Sequence, residues 1–164
     1  LTTVFLGLGS NLGDRQKSLT DAIALISDLG ELTDLSRIYE SRSWGYEDPR
    51  PYLNMCCTIQ TELSAEELHG STLAIEKSLG REGAKRKKGE PYRSRTIDID
   101  ILFYGSDILE TDTLSIPHPQ LHLRKFVLQP LTDINPNFVH PVIGQTVGRL
   151  KELCQDNTEL KEFA

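Results

Sequence analysis

Apolar and polar positions fall into short segments with distinct periods along this chain. Thr3 to Leu8 (TVFLGL) is a β-branched and aromatic run that predicts a buried first strand. SNLGD, Ser10 to Asp14, reads as a turn. From Leu19, apolar residues recur at Ala22, Ile23, Ile26 and Leu29, the stripe of an amphipathic helix, with Gly30 placed to cap its end. Residues 31 to 41 predict a second strand, residues 42 to 51 a loop rich in Gly, Pro and charge, and Tyr52 to about Leu63 a third strand. Ser64 and Glu67 have capping-box spacing and open a helix with the stripe Leu68, Thr72, Ile75 and Leu79, ended by Gly80. Residues 81 to 95 have no periodicity and predict a mobile loop of about fifteen residues, a length more often functional or disordered than structural. Residues 96 to 104 (TIDIDILFY) are the clearest strand in the chain. After a turn at Gly105 and a short segment, a helix is expected over Arg124 to Leu131, reaching the neighbourhood of Pro130. A last helix from Gly144 or Gln145 carries Val147, Leu150 and Leu153.

The order β, α, β, β, α, β, followed by a C-terminal extension, predicts an α+β fold. It is that of a ferredoxin-like sandwich, an antiparallel sheet with helices packed on one face. A length of 164 residues suits a single domain over residues 1–164. The chain opens on Leu1 rather than methionine, which leaves open an expressed fragment or one domain cut from a longer polypeptide.

Composition narrows the classes of function. No apolar run approaches the ~20 residues of a membrane helix, so no membrane partner is expected. The N-terminus has no basic region followed by a longer apolar stretch, and the expected compartment is cytoplasmic. Cys56, Cys57 and Cys154 are odd in number, and two of them are adjacent. They read as free thiols of a reducing compartment rather than a disulfide framework or a zinc site. A net charge of −6 argues against nucleic acid.

One segment reverses that charge. Arg81, Lys85, Arg86, Lys87, Lys88, Arg93 and Arg95 stand against Glu82 and Glu90, a local +5 that leaves −11 for the rest of the chain. Such asymmetry suggests a basic device aimed at a small polyanion. It leads directly into Asp98 and Asp100, which alternate with Ile97, Ile99 and Ile101. On a strand, residues two apart share a face with Cα atoms about 6.5 Å apart, so both carboxylates point one way and the isoleucines the other. Two hard oxygen ligands side by side suit Mg²⁺. Arginines beside them suit phosphate oxygens, and the loop would act as a lid that excludes water. A wet strand face and a solvated charge run are the plainer readings of the same residues.

Other residues are suggestive. Gly7, Gly9 and Gly13 do not make a dinucleotide fingerprint, because position 12 is Leu12, and no Walker loop is present. These glycines are expected to shape a turn and to allow close packing. Tyr52 and Asn54 share a strand face, where an aromatic ring could stack on a heterocycle and an amide could read its edge. Trp44 sits in a Gly/Pro loop, as a core anchor or a ligand cover. His118, between Pro117 and Pro119, is placed to donate to a phosphate or to cap a turn.

Four stretches together resemble one family. TVFLGLGSNLGD (Thr3 to Asp14), PYLN (Pro51 to Asn54), RTIDIDILFYG (Arg95 to Gly105) and IPHP with LRKFVLQPL (Ile116 to Leu131) are similar to 6-hydroxymethyl-7,8-dihydropterin pyrophosphokinases, in order and over roughly residues 3 to 150. The resemblance implies transfer of pyrophosphate from ATP to the pterin alcohol in folate synthesis, with AMP as leaving group. It implies that Asp98 and Asp100 bind two Mg²⁺ ions with ATP. It implies that Glu76, Arg81, Arg95, Ile101, Ser115, His118 and Arg124 bind ATP, with Arg81 and Arg95 closing over the phosphates as part of the catalytic set. Ser41, Arg42, Trp44, Tyr52, Asn54 and Phe126 are implied at the pterin, with Tyr52 and Phe126 on either side of the ring. Fusion or functional linkage to another folate-pathway enzyme is a further implied partner. The chain departs from the family pattern at Gly83, Tyr92, Arg93, Ser94 and Pro119, with Lys85 or Arg86 the substitute for an arginine at Gly83. The alternatives are a non-catalytic ferredoxin-like module for a ligand or RNA, and another phosphoryl or nucleotidyl transferase built on the same Asp pair.

Overall fold

The computed structural model describes residues 1–45, 48–80 and 96–164. The elements, in order, are β1 (Thr2–Ser10), α1 (Arg15–Ile26), β2 (Glu31–Leu35), β3 (Tyr39–Ser41), β4 (Tyr52–Thr61), α2 (Ala65–Ser78), β5 (Asp98–Tyr104), β6 (Leu109–Glu110), β7 (Ser115–Ile116), α3 (Lys125–Ile134), α4 (Val147–Leu153) and β8 (Lys161–Glu162). The main sheet runs β5-β1-β4-β3-β8, with β2 also on β4, and its pairings are antiparallel. This is the strand order and α+β class expected of the ferredoxin-like sandwich. The predicted loop over residues 81 to 95 lies outside the described residues.

Local chemistry explains where the helices begin and end. Asp14 caps α1 by accepting the Lys17 N–H. The capping box of α2 is complete: the Ser64 hydroxyl takes the Glu67 N–H at 3.1 Å and the Glu67 carboxylate takes the Ser64 N–H at 3.0 Å. Gly30 is not the cap of α1, which ends at Ile26 with Ser27 as its cap. A Cβ at Gly30 would instead collide with the Gln60 carbonyl oxygen, so the glycine serves the approach of the turn to β4. Helix α3 runs through Pro130 to Ile134, past the expected end. Helix α4 starts at Val147 behind the Thr146 cap, and Leu153 stays 52% exposed rather than facing the core.

Residues 31 to 41 do not form one strand. Pairing with β4 slips along the segment, from Glu31↔Gln60 to Leu35↔Cys57 to Tyr39↔Asn54, and the strand is interrupted over residues 36 to 38. Ser36 fills the gap: its N–H donates to the Cys56 carbonyl, and its hydroxyl accepts the Cys56 N–H.

The helices cover both faces of the sheet, not one. Helices α1 and α2 bury Val4, Leu6, Leu8, Leu53, Met55, Cys57, Ile59, Ile97, Ile99 and Ile101. The C-terminal extension supplies α3 and α4, which cover Phe5, Cys56, Leu102 and Phe103 on the opposite face. Adjacent Cys56 and Cys57 therefore enter different cores, both as free thiols. Burial raises both thiol pKa values, that of Cys57 to about 12, which keeps them protonated and unreactive.

Candidate active site

Strand β5 is an edge of the sheet, and its period-two pattern sorts its side chains. Ile97, Ile99 and Ile101 sit in the α1/α2 core, while Asp98 and Asp100 are half-buried on the face of α3. Helix α2 braces this edge. Glu76, only 1% exposed, accepts the Ile99 N–H at 2.7 Å, so a buried carboxylate grips the backbone between the two aspartates.

Register carries the aspartates across the sheet. Asp98 stands opposite Gly9, Gly9 opposite Asn54, and Asn54 opposite Tyr39; one step along, Asp100 stands opposite Gly7 and Gly7 opposite Cys56. The two glycines carry no side chains of their own between the carboxylates and β4; the Leu102 side chain packs over Gly7, while Gly9 is left to β4. Asn54 and Tyr52 lean over Gly9: a Cβ there would lie 2.7 Å from Asn54 Oδ1 and 3.7 Å from Tyr52 Cδ1. Gly7 and Gly9 thus lie inside β1 and give room to side chains of the neighbouring strands β5 and β4, not to a helix as expected, while Gly13 takes the expected turn conformation (φ +67°).

His118 follows β7, and its N–H donates to the Leu102 carbonyl, which ties it to β5. Its Nδ1 accepts the Gln120 N–H, so the proton of the neutral ring sits on Nε2. That Nε2 is 3.9 Å from Asp100 Oδ2. A donor therefore faces the carboxylate pair. Arg124, 8% exposed, precedes α3, where its guanidinium lies 4.7 Å from the Trp44 ring centroid and 5.6 Å from that of Phe126. Gln120 accepts a hydrogen bond from the same guanidinium.

The remaining expected residues divide. Ser41 is buried at the end of β3 and pairs with Tyr52, which puts it at the Tyr52–Asn54 end of the sheet. Arg42 is exposed just beyond it. Ile101 packs in the α1/α2 core, on the face away from the aspartates. Ser115 lies on the β6–β7 hairpin and donates its hydroxyl to Glu110 at 2.6 Å. Arg81 and Arg95 lie outside the described residues, as does the rest of the basic segment. Sequence reasoning missed Gln120, which holds Arg124, and the network anchoring α3 to β3, in which Asp133 accepts the Tyr39 hydroxyl at 2.7 Å. Neither carries a local spacing signal, because its partner is distant in sequence or defined only by a side-chain rotamer.

Asp98 and Asp100 suit Mg²⁺. That ion keeps several waters and takes one or two protein carboxylates together with substrate phosphates, rather than a closed protein cage. Two partly buried carboxylates side by side on one strand face match that preference.

The sequence model of the family 7,8-dihydro-6-hydroxymethylpterin-pyrophosphokinase (HPPK) matches residues 5–136. A 2-amino-4-hydroxy-6-hydroxymethyldihydropteridine pyrophosphokinase of Aquifex aeolicus is 40% identical over 163 residues, 99% of this chain and 96% of the relative. The protein of that name from Bacillus subtilis is 41% identical over 132 residues, 79% of this chain and 76% of its own. Folic acid synthesis protein fol1 of Pneumocystis carinii is 40% identical over 155 residues, 94% of this chain but 20% of the relative. In fold, the chain resembles a crystal structure of Plasmodium falciparum HPPK-DHPS, with a TM-score of 0.73 at 16% identity over 93% of this chain. It spans 45% of that solved chain.

Proposed function

From the premise that the chain belongs to the 7,8-dihydro-6-hydroxymethylpterin-pyrophosphokinase family, we propose that it transfers the pyrophosphoryl group of ATP to 6-hydroxymethyl-7,8-dihydropterin, a step of folate synthesis. The pterin hydroxymethyl oxygen attacks the β-phosphorus of ATP. The bond from that phosphorus to the oxygen of the α-phosphate breaks, AMP leaves, and the alcohol proton passes to solvent.

One observation carries this reading to the residues. Asp98 and Asp100 share one sheet face with Asn54 and Tyr52, across the glycine positions Gly7 and Gly9 of β1. Phosphate chemistry and heterocycle recognition thereby meet in one site. Asp98 and Asp100 would hold two Mg²⁺ ions, which would supply charge neutralisation of the triphosphate and polarisation of the attacked phosphoryl group. His118 Nε2–H donates toward a phosphate oxygen beside Asp100. Asn54 offers an amide to the pterin edge, and Tyr52 and Phe126 offer ring faces to its plane. Ser41, Arg42 and Trp44 border the same end. Arg124 and Glu76 serve ATP, Glu76 by holding the strand that carries the aspartates. Arg81 and Arg95 are assigned to the phosphates on the family resemblance, and Ser115 to the adenosine side on the same ground; Ile101, whose side chain faces the α1/α2 core, is assigned there through its backbone alone. Positioning and charge stabilisation supply most of the acceleration.

Because fol1 and HPPK-DHPS contain the matched region within longer chains, linkage to another folate-pathway activity is part of this proposal.

The test is product analysis with ATP, Mg²⁺ and the pterin alcohol. AMP and a pterin diphosphate in equal amounts are expected, and none without Mg²⁺. ADP as the nucleotide product would make this a simple kinase, and no nucleotide turnover would return the chain to the class of binding modules.

A further inference from the structure

Helix α3 begins without a cap of its own. Arg124 occupies the N-cap position with extended dihedrals and makes no side-chain capping bond. The first N–H groups of a helix need acceptors from elsewhere. Here one comes from 31 residues downstream: Asp156 Oδ2 accepts the Lys125 N–H at 3.1 Å. The other oxygen of Asp156 accepts both the N–H of Thr158, at 3.0 Å, and its hydroxyl, at 2.6 Å. The carboxylate is thus locked by its own tail and presented to the positive end of α3. Burial raises its pKa, but the bonds from Thr158 and Lys125 outweigh that and leave it below the ordinary value.

The same tail reaches the other side of the cleft. Strand β8 pairs with β3 through Tyr39↔Glu162 and Glu40↔Lys161, and the Phe163 N–H donates to the Ile38 carbonyl at 2.8 Å. The Phe163 ring lies 5.8 Å from the Arg15 guanidinium, which bonds Glu40 at 2.6 Å and the Pro51 carbonyl at 3.1 Å. Strand β3 runs on into Ser41, Arg42 and Trp44, and Pro51 precedes Tyr52. One short segment therefore grips the start of the helix that bears Phe126 and the strand that leads to Trp44. It lies wholly beyond residue 136, where the family match ends.

We propose that residues 155–164 form a strap that sets the width of the pterin cleft, with Asp156, through the Lys125 N–H it accepts, as a positioning residue for Phe126. Asp156 touches no reacting atom; it acts through the first turn of α3. The inference rests on the proposed function for its kinetic arm only.

Asp156→Ala and Asp156→Asn test it. Loss of a helix cap is expected to raise the KM for the pterin alcohol about five- to tenfold in Asp156→Ala, with kcat and the KM for ATP unchanged and Asp156→Asn intermediate. Amide hydrogen exchange at residues 125–128 should accelerate by a similar factor, and fluorescence of Trp44, the sole tryptophan, should shift. Unchanged exchange and an unchanged pterin KM would overturn the strap. So would equal losses in both substrates that merely follow a fall in melting temperature. If the unaltered protein makes no AMP, the proposed function fails, while the strap is still decided by exchange and fluorescence, which need no substrate.

Discussion

The two faces of the sheet are made by the same strands but finished differently. On one face α1 and α2 cover the strands, and Val4, Leu6 and Leu8 of β1, Leu53, Met55, Cys57 and Ile59 of β4, and Ile99 and Ile101 of β5 are apolar and buried there. On the other face α3 and α4 cover Phe5, Cys56, Leu102 and Phe103 and then stop. Past that edge, each strand changes chemistry while keeping its period: Phe5 gives way to Gly7 and Gly9, Cys56 to Asn54 and Tyr52, and Leu102 to Asp100 and Asp98. A site forms where a layer is too short, and the intact face beneath it keeps the floor rigid. Catalytic groups on strands backed by a full core hold their spacing, which positional catalysis requires.

The largest expected break in this comparison is on the face that bears the aspartates. Asp100→Ala or Asp98→Ala should lower turnover about a thousandfold or more, with little loss in melting temperature, because each removes one of two like charges held side by side on the same strand face. Rates near those of the unaltered protein would remove the metal role. On the covered face, one residue away, the effect should invert. Ile99→Ala should cost about 2–4 kcal/mol of stability in denaturant titrations while the folded fraction keeps most of its kcat.

A smaller but sharper probe is Gly9→Ala. Its added methyl would stand 2.7 Å from Asn54 Oδ1. The amide must swing away, and pterin kcat/KM should fall about ten- to a hundredfold with ATP binding preserved. An unaltered kcat/KM would show that Asn54 is not held by this floor.

The smallest effect lies under the α3/α4 layer. His140 is buried, and its Nδ1 accepts the N–H groups of Val142 and Ile143. Burial, with His122 nearby, lowers its pKa below the usual 6.5, so the folded state favours the neutral ring. Unfolding then takes up a proton as the pH falls. The stability is complete above pH 6.5 and is lost as pH drops from there through the folded value. A melting-temperature series should show this loss, and His140→Gln should flatten it.

Much of this was legible in the chain. The alternation of Asp98 and Asp100 with three isoleucines admits only a strand with a charged and an apolar face, and the spacing of Ser64 and Glu67 admits only a helix start. The interruption at Ser36 was not legible, because it exists only in the register between two β segments and β4. Gly30 looked like a helix cap because nothing local announces the Gln60 carbonyl against it. Strand β8 is two residues of charge, invisible without the β3 edge that receives it.

What the sequence by itself determined is periodic and local: which residues share a face, the capping box that opens α2, and which acids lie together. Those properties follow from backbone geometry over a few residues. The tertiary structure alone decided how far the C-terminal helices reach across the sheet, that glycines would lie between the carboxylates and Asn54, and that Asp156 would cap a helix 31 residues away. Such facts depend on register and on packing between distant segments, where one residue's shift changes every neighbour.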